Sequence, residues 1–220
     1  MTILSSAQAH SNGCVILLHG LARSDRSMET LSLALNEAGY NTINIAYPST
    51  KHPIEKLAND AIVKAIDTCP KDAKIHFVTH SMGGILVRQY LSKNKIENMG
   101  RVVMLGPPNK GSQIVDKLGS MPGFKLINGP AGMQLGTAQK SVPNSLGAVD
   151  FELGIIAGTR SFNPILSSIL AKPNDGKVSV ESSKIEGMSD HIELPVTHTF
   201  MMNSKVVIDH VLHFLAKGVF

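Results

Sequence analysis

Apolar and polar positions in the first half of the chain alternate between short continuous apolar runs and longer stretches with helical spacing. That is the pattern of βα units feeding a parallel sheet. Val15-Ile16-Leu17-Leu18 is a β-branched and aliphatic run, as a strand buried on both faces requires. From Ser24, a fitting N-cap, to Gly39, a fitting C-terminal stop, Met28, Leu31, Leu35 and Ala38 recur at three- and four-residue spacing and predict a helix. Residues 42–46 predict the next strand. Pro53 opens a second helix whose inward stripe is Ile54, Leu57, Ala61 and Ala65. A third strand is expected over 74–78, a Gly-rich turn next, a helix over 85–91, and a fourth strand over 101–105. Between 107 and 149 glycines and prolines punctuate short apolar pieces, which predicts loop and short helix over one end of the sheet. Strands return at 151–157 and 191–196, and a closing helix at 205–215 turns Val207, Ile208, Val211, Leu212 and Leu215 inward.

No repeat or low-complexity linker interrupts the 220 residues, so one domain over 1–220 is expected, with 1–12 as a flexible tail. An apolar share of 43% excludes disorder. The net charge of +4 is mildly basic, but the cations are scattered and aromatics make up 5% with no Trp, which argues against a nucleic-acid platform. No apolar run reaches the roughly eighteen residues a membrane span needs. Ala7-Gln8-Ala9 looks like the end of a signal peptide, yet no basic segment or adequate apolar stretch precedes it. The cytoplasm is therefore the expected location, with export from a longer, signal-bearing precursor as the alternative. Cys14 and Cys69 make no disulfide framework, have no zinc-ligand spacing and are expected as small core residues. No metal or cofactor is expected, and oligomeric state is not legible.

The most informative segment is Thr79-His80-Ser81-Met82-Gly83-Gly84, at the junction of an expected buried strand and a helix. It departs from G-x-S-x-G only in its first residue, where Thr is bulkier than Gly. In that motif a sharp turn lifts a Ser hydroxyl above the sheet at a helix N-terminus, where free N–H groups favour developing negative charge. The bland alternative is a Ser in an ordinary Gly-rich βα turn. Upstream, the first strand ends in His19-Gly20-Leu21, two βα units before the Ser, where such hydrolases place half of an oxyanion hole. The donors would be the backbone N–H groups of Leu21 and Met82.

A Ser hydroxyl needs a base, and the base needs an acid to hold its tautomer. The expected order is Ser, then Asp or Glu, then His. Among the downstream histidines, His210 and His213 fall opposite an apolar stripe, and His191 begins a strand beside Asp190. His198 follows the last expected strand at its C-terminal end, where catalytic groups gather in open parallel sheets. Asp175, in Pro173-Asn174-Asp175-Gly176-Lys177-Val178, precedes that strand and is the preferred acid, although Asp-Gly is also a common turn. Glu181, Glu186 and Asp190 are the alternatives. His76 reads as a core histidine, and His80, beside the Ser, points a different way along the turn and reads as a packing residue or one that supports the catalytic groups from behind. Met201 and Met202 read as core filling behind the catalytic loop. Gly106-Pro107-Pro108-Asn109-Lys110-Gly111-Ser112 echoes a phosphate loop but lacks the Lys after the second Gly.

These four segments, closing with Val196-Thr197-His198-Thr199-Phe200, resemble those of small α/β-hydrolases of the bacterial esterase/lipase type. The resemblance implies a mostly parallel sheet of about six strands with helices on both faces and no large cap domain. It also implies a Ser81, Asp175, His198 triad with Leu21 and Met82 as oxyanion donors. The expected reaction is hydrolysis of a small-molecule or lipid carboxylic ester through an acyl-enzyme. Acyl transfer, thioester or amide cleavage, and a catalytically silent binding protein of the same fold are the competing readings.

Overall fold

The computed structural model describes residues 12–220. The Ala7-Gln8-Ala9 reading lies outside them, as does the expected tail up to residue 11. Asn12 is no tail residue, because its backbone N–H donates to the Gly39 carbonyl at 3.0 Å and its side chain to Ala38 at 2.9 Å.

Six strands form one sheet, β1 (Cys14–Leu18), β2 (Asn41–Ile45), β3 (Ile75–His80), β4 (Met99–Leu105), β5 (Leu153–Gly158) and β6 (Asp190–Leu194). Their order is β2-β1-β3-β4-β5-β6, with every pairing parallel. Strand order reverses between β1 and β3. A crevice opens there beyond the carboxyl ends of the strands, the usual ligand position in such sheets.

Helices α1 (Glu29–Glu37), α2 (Ile54–Thr68) and α3 (Met82–Leu91) follow the first three strands. Between β4 and β5 lie α4 (Gln113–Leu118), α5 (Phe124–Met133) and α6 (Val142–Ser145), and then come α7 (Pro164–Ile169), α8 (Val180–Ser183) and α9 (Lys205–Lys217). Alternation of strand side chains divides the core. Ile16, Leu18, Phe77, Met104 and Ile155 meet the α2 stripe and Ile85 of α3 on one face. Val15, Leu17, Val78, Val103 and Ile156 meet Leu31 and Leu35 of α1 and Val207 and Val211 of α9 on the other.

Three expectations need correction. Ala38 is exposed, since α1 has ended there and Gly39 turns away with φ +86°. On α9 Phe214 is fully buried along with Val207 and Val211, while Leu212, packed against the same cluster, is only partly covered. Gly154 makes the room, because a Cβ there would come within 2.6 Å of the Phe214 ring. Cys14 and Cys69 are buried but not separate, since they form a disulfide between the first residue of β1 and the end of α2.

The segment between β4 and β5 is more helical than its sequence suggests. Its anchor is Arg88 of α3, whose guanidinium donates to the carbonyls of Asn109 (3.1 Å), Pro143 (2.9 Å) and Gly147 (2.9 Å) and to Asn109 Oδ1 (3.2 Å). No carboxylate pairs with it among the described residues, and burial pulls its pKa down to about 10. The stretch resembling a phosphate loop serves this clamp. Asn109 is fully buried and donates to the Ser183 carbonyl at 2.8 Å.

Candidate active site

The crevice gathers residues from the loops that follow β1, β3, β4, β5 and β6. Ser81 follows β3 directly and has φ +54°, ψ −122°, a conformation that costs a non-glycine residue of order 1–3 kcal/mol. The turn is held by Ser81 N–H donating to the Leu105 carbonyl at 2.8 Å and by Gly84 N–H returning to the Ser81 carbonyl at 3.1 Å. Such a tight turn presses α3 against β1. A Cβ on Gly83 would stand 2.5 Å from the Leu18 carbonyl oxygen. At the other small position Thr79 is accommodated, fully buried at the end of β3, and its hydroxyl has no protein partner among the described residues.

The residues expected to act with Ser81 come together around it. His198 Nε2 lies 3.0 Å from Ser81 Oγ, and His198 Nδ1 lies 2.7 Å from Asp175 Oδ2. Asp175 Oδ1 accepts the backbone N–H groups of Lys177 (2.9 Å) and Val178 (2.7 Å), which fixes the plane of the carboxyl group. The two loops are also joined by His198 N–H donating to the Asp175 carbonyl at 3.1 Å. An Nδ1–H donated to Asp175 would leave Nε2 as the acceptor facing the Ser81 hydroxyl. Gly106, after β4, makes this packing possible. It adopts φ +54°, and a Cβ would fall 2.9 Å from Asp175 Oδ2 and 3.1 Å from His198 Nδ1.

Leu21 and Met82 flank the crevice from the ends of β1 and β3. Neither N–H donates to a protein acceptor among the described residues, whereas the next one, Ala22 N–H, is taken by Ser49 Oγ at 3.0 Å. The alternative acids are elsewhere. Glu181 pairs with Lys110 on the surface, Glu186 is exposed, and Asp190 accepts the N–H groups of His191 and Phe220. His191 Nε2 contacts Ser183 Oγ at 3.1 Å, and His210 and His213 lie on the outer side of α9. Among the described residues no group of three His, Cys, Asp or Glu side chains is placed to hold a metal.

His80 does more than fill space. Its Nε2–H donates to the His198 carbonyl at 2.9 Å, and its ring packs 4.7 Å from the His198 ring, so it ties the turn at Ser81 to the loop carrying His198. Burial, then the neighbouring His198, holds its pKa well below the ordinary imidazole value, consistent with a neutral Nε2–H tautomer. Met201 and Met202 are buried behind that loop.

A cavity of about 330 Å³ opens at Ser81 and His198. Ile114 and Leu118 of α4, Phe124 and Ile127 of α5, and Leu135 give it an apolar wall. The sequence located this wall only as a region, because short helices broken by Gly and Pro leave no stable period. Gly129 interrupts α5 with φ +64°, where a Cβ would collide with the Thr50 carbonyl oxygen. Arg23 and Lys177 also line the cavity and had no signal beyond their nearness in sequence to Leu21 and Asp175.

No family model and no curated protein matches the chain. Solved structures do. The mature form of the lipase BlEst2 from Bacillus licheniformis superposes with a TM-score of 0.74 at 16% identity, over 94% of this chain and 93% of that one. The phospholipase PlaB from Legionella pneumophila gives 0.71 at 14% identity, over 95% of this chain and 60% of that one. The metagenomic carboxyl esterase MGS0156 gives 0.68 at 18% identity, over 86% and 65%. At such identities the likeness concerns architecture. With six parallel strands, helices on both faces and a Ser at the turn after β3, this chain has the α/β-hydrolase fold that these bacterial lipases and esterases share.

Proposed function

We propose that the protein is a serine carboxylic-ester hydrolase. The observation that carries this reading is the unbroken path from Ser81 Oγ through His198 to the buried Asp175, with contacts of 3.0 and 2.7 Å. Ser81 Oγ attacks the ester carbonyl while its proton passes to His198 Nε2, and Asp175 stabilises the imidazolium. The carbonyl oxygen becomes an oxyanion facing the Leu21 and Met82 N–H groups. Collapse breaks the bond to the alcohol oxygen, which takes the proton from His198 and leaves an acyl group on Ser81. Water, deprotonated by the same imidazole, releases the acid and restores the hydroxyl. The apolar wall suits an aliphatic acyl chain. No residue is assigned to a metal or cofactor, and the Cys14–Cys69 bridge favours an oxidising compartment over the cytoplasm.

A panel of 4-nitrophenyl esters of increasing acyl length tests the reaction. Short and medium chains are expected to turn over, unaffected by a strong chelator, and Ser81→Ala is expected to be inert. Wild-type turnover that survives Ser81→Ala, or is lost to the chelator and restored by a divalent ion, would remove the serine mechanism. Cleavage of matched thioesters or amides at higher kcat/KM would move the reading to those relatives of the reaction.

Acid is expected to act twice. Activity falls because His198 must be neutral to accept the Ser81 proton. Stability falls as well, because burial lowers the pKa of His19, His80 and His191 and takes His76 to about 4. The unfolded chain takes up protons near 6.5 that these imidazoles refuse when folded, so stability is present above that pH and is lost as pH drops toward 4. Each such histidine contributes a slope of up to about 1.4 kcal/mol per pH unit. Urea midpoints at pH 7.5 and 5, beside kcat/KM at both, separate the two effects. A midpoint that does not change with pH would contradict the assignment of these histidines as buried and neutral.

A further inference from the structure

The cavity at Ser81 carries two cations that the hydrolytic scheme leaves unused. Arg23 and Lys177 line it together with Ser81 and His198. Both are set by the loops that set the site. Arg23 follows Ala22, which has φ +53° and whose N–H is held by Ser49 Oγ. Lys177 lies two residues past Asp175, and its backbone N–H donates to Asp175 Oδ1 at 2.9 Å. Both side chains are exposed, and partial desolvation and then Arg23 push the Lys177 ammonium pKa down, with Asp175 offsetting them only in part. Among the described residues neither cation has a carboxylate within salt-bridge distance, and Asp175 is already engaged by His198.

Two like charges converging on a cavity mouth without a counter-ion repel each other in the free protein, and an anion placed between them removes that cost. Ile114, Leu118, Phe124, Ile127 and Leu135 give the same cavity an apolar surface. With the acyl chain on that apolar surface, the charged part of the lining, Arg23 and Lys177, is left to the alcohol portion of an ester. Resting on the hydrolase reading of Ser81, we propose that the preferred substrate is an ester of an aliphatic acid with an alcohol bearing a phosphate or carboxylate group, which Arg23 and Lys177 hold.

The test compares matched butyrates, 4-nitrophenyl against 3-carboxy-4-nitrophenyl, and monobutyrin against butyryl glycerol phosphate. In wild type kcat/KM is expected to favour the anionic member of a pair by about tenfold, as two partly solvated ion pairs would give. Arg23→Gln/Lys177→Gln should bring that ratio close to one, and about 0.5 M salt should lower it in wild type. Whichever pair shows the larger ratio identifies the group. A wild-type ratio at or below one in both pairs, or a ratio that the double variant leaves intact, overturns the proposal while neutral esters are still cleaved through Ser81. If no ester of either charge is cleaved through Ser81, the hydrolase reading falls and this one with it.

Discussion

Ser81→Ala, His198→Gln and Asp175→Asn are each expected to lower kcat/KM on an activated ester by about 10⁴-fold, or roughly 5.5 kcal/mol of transition-state stabilisation, with the fold intact. The common size follows from the geometry. In the proposed mechanism Ser81 passes its proton to Nε2, which is free to accept it when Asp175 Oδ2, 2.7 Å from Nδ1, holds the other imidazole proton. An amide at 175 presents a donor or a weaker acceptor to Nδ1, which favours the other tautomer and removes the charge that stabilises the imidazolium. In the proposed mechanism the three groups act as one unit, so Ser81→Ala/His198→Gln should be little worse than the poorer single variant. Glu181→Gln serves as the control, since that carboxylate is on the surface with Lys110 and Lys184, and no change in rate is expected. Losses that multiply in the double variant, or a severe Glu181→Gln beside a mild Asp175→Asn, would break the assignment. Circular dichroism and urea midpoints of each variant exclude unfolding as the cause.

Much of this arrangement was legible in the chain because the chemistry needs special backbone. Ser81 sits at a positive φ between strand and helix, and the Gly83-Gly84 pair that lets the turn close is visible as sequence. The strands were legible because burial on both faces demands unbroken apolar runs such as Val15 to Leu18, and α2 because its stripe keeps a helical period. What escaped depends on partners distant in sequence. Nothing near Phe214 announces that Gly154 leaves room for its ring, and nothing near Arg88 announces the carbonyls of Asn109, Pro143 and Gly147. Asp175 was legible as the preferred acid among several, from its place before the last strand, but its 2.7 Å contact with His198 depends on the loops after β5 and β6 meeting. The two cations were the least legible, since Arg23 and Lys177 are 154 positions apart and line one cavity only because the loops after β1 and β5 both reach it.

Removing the Cys14–Cys69 bridge is expected to cost about 4 kcal/mol of stability, the loop-closure entropy released to the unfolded chain by opening a segment of some 55 residues. The sequence alone treated the two cysteines as independent, because a pair with no framework around it gives no sign of contact. The fold brings their Cα atoms to 5.9 Å by running α2 back antiparallel to β1 and ending it beside the strand's first residue. Both positions are buried, at 0% and 8% exposure, so Cys14→Ala/Cys69→Ala adds small packing losses to the entropic one. For a chain of this size each kcal/mol moves Tm by roughly 2–4 °C, which puts the combined shift at about 8–16 °C. The bridged segment includes the Leu21 loop but not Ser81 or His198, so the folded fraction should keep its kcat/KM at low temperature while its denaturation midpoint falls. Thiol titration of the unfolded, unreduced protein together with melts in and out of reductant measures both quantities. Two free thiols in protein from an oxidising preparation, or a Tm indifferent to reduction confirmed by thiol counting, would show that the bridge does not contribute to the fold's stability.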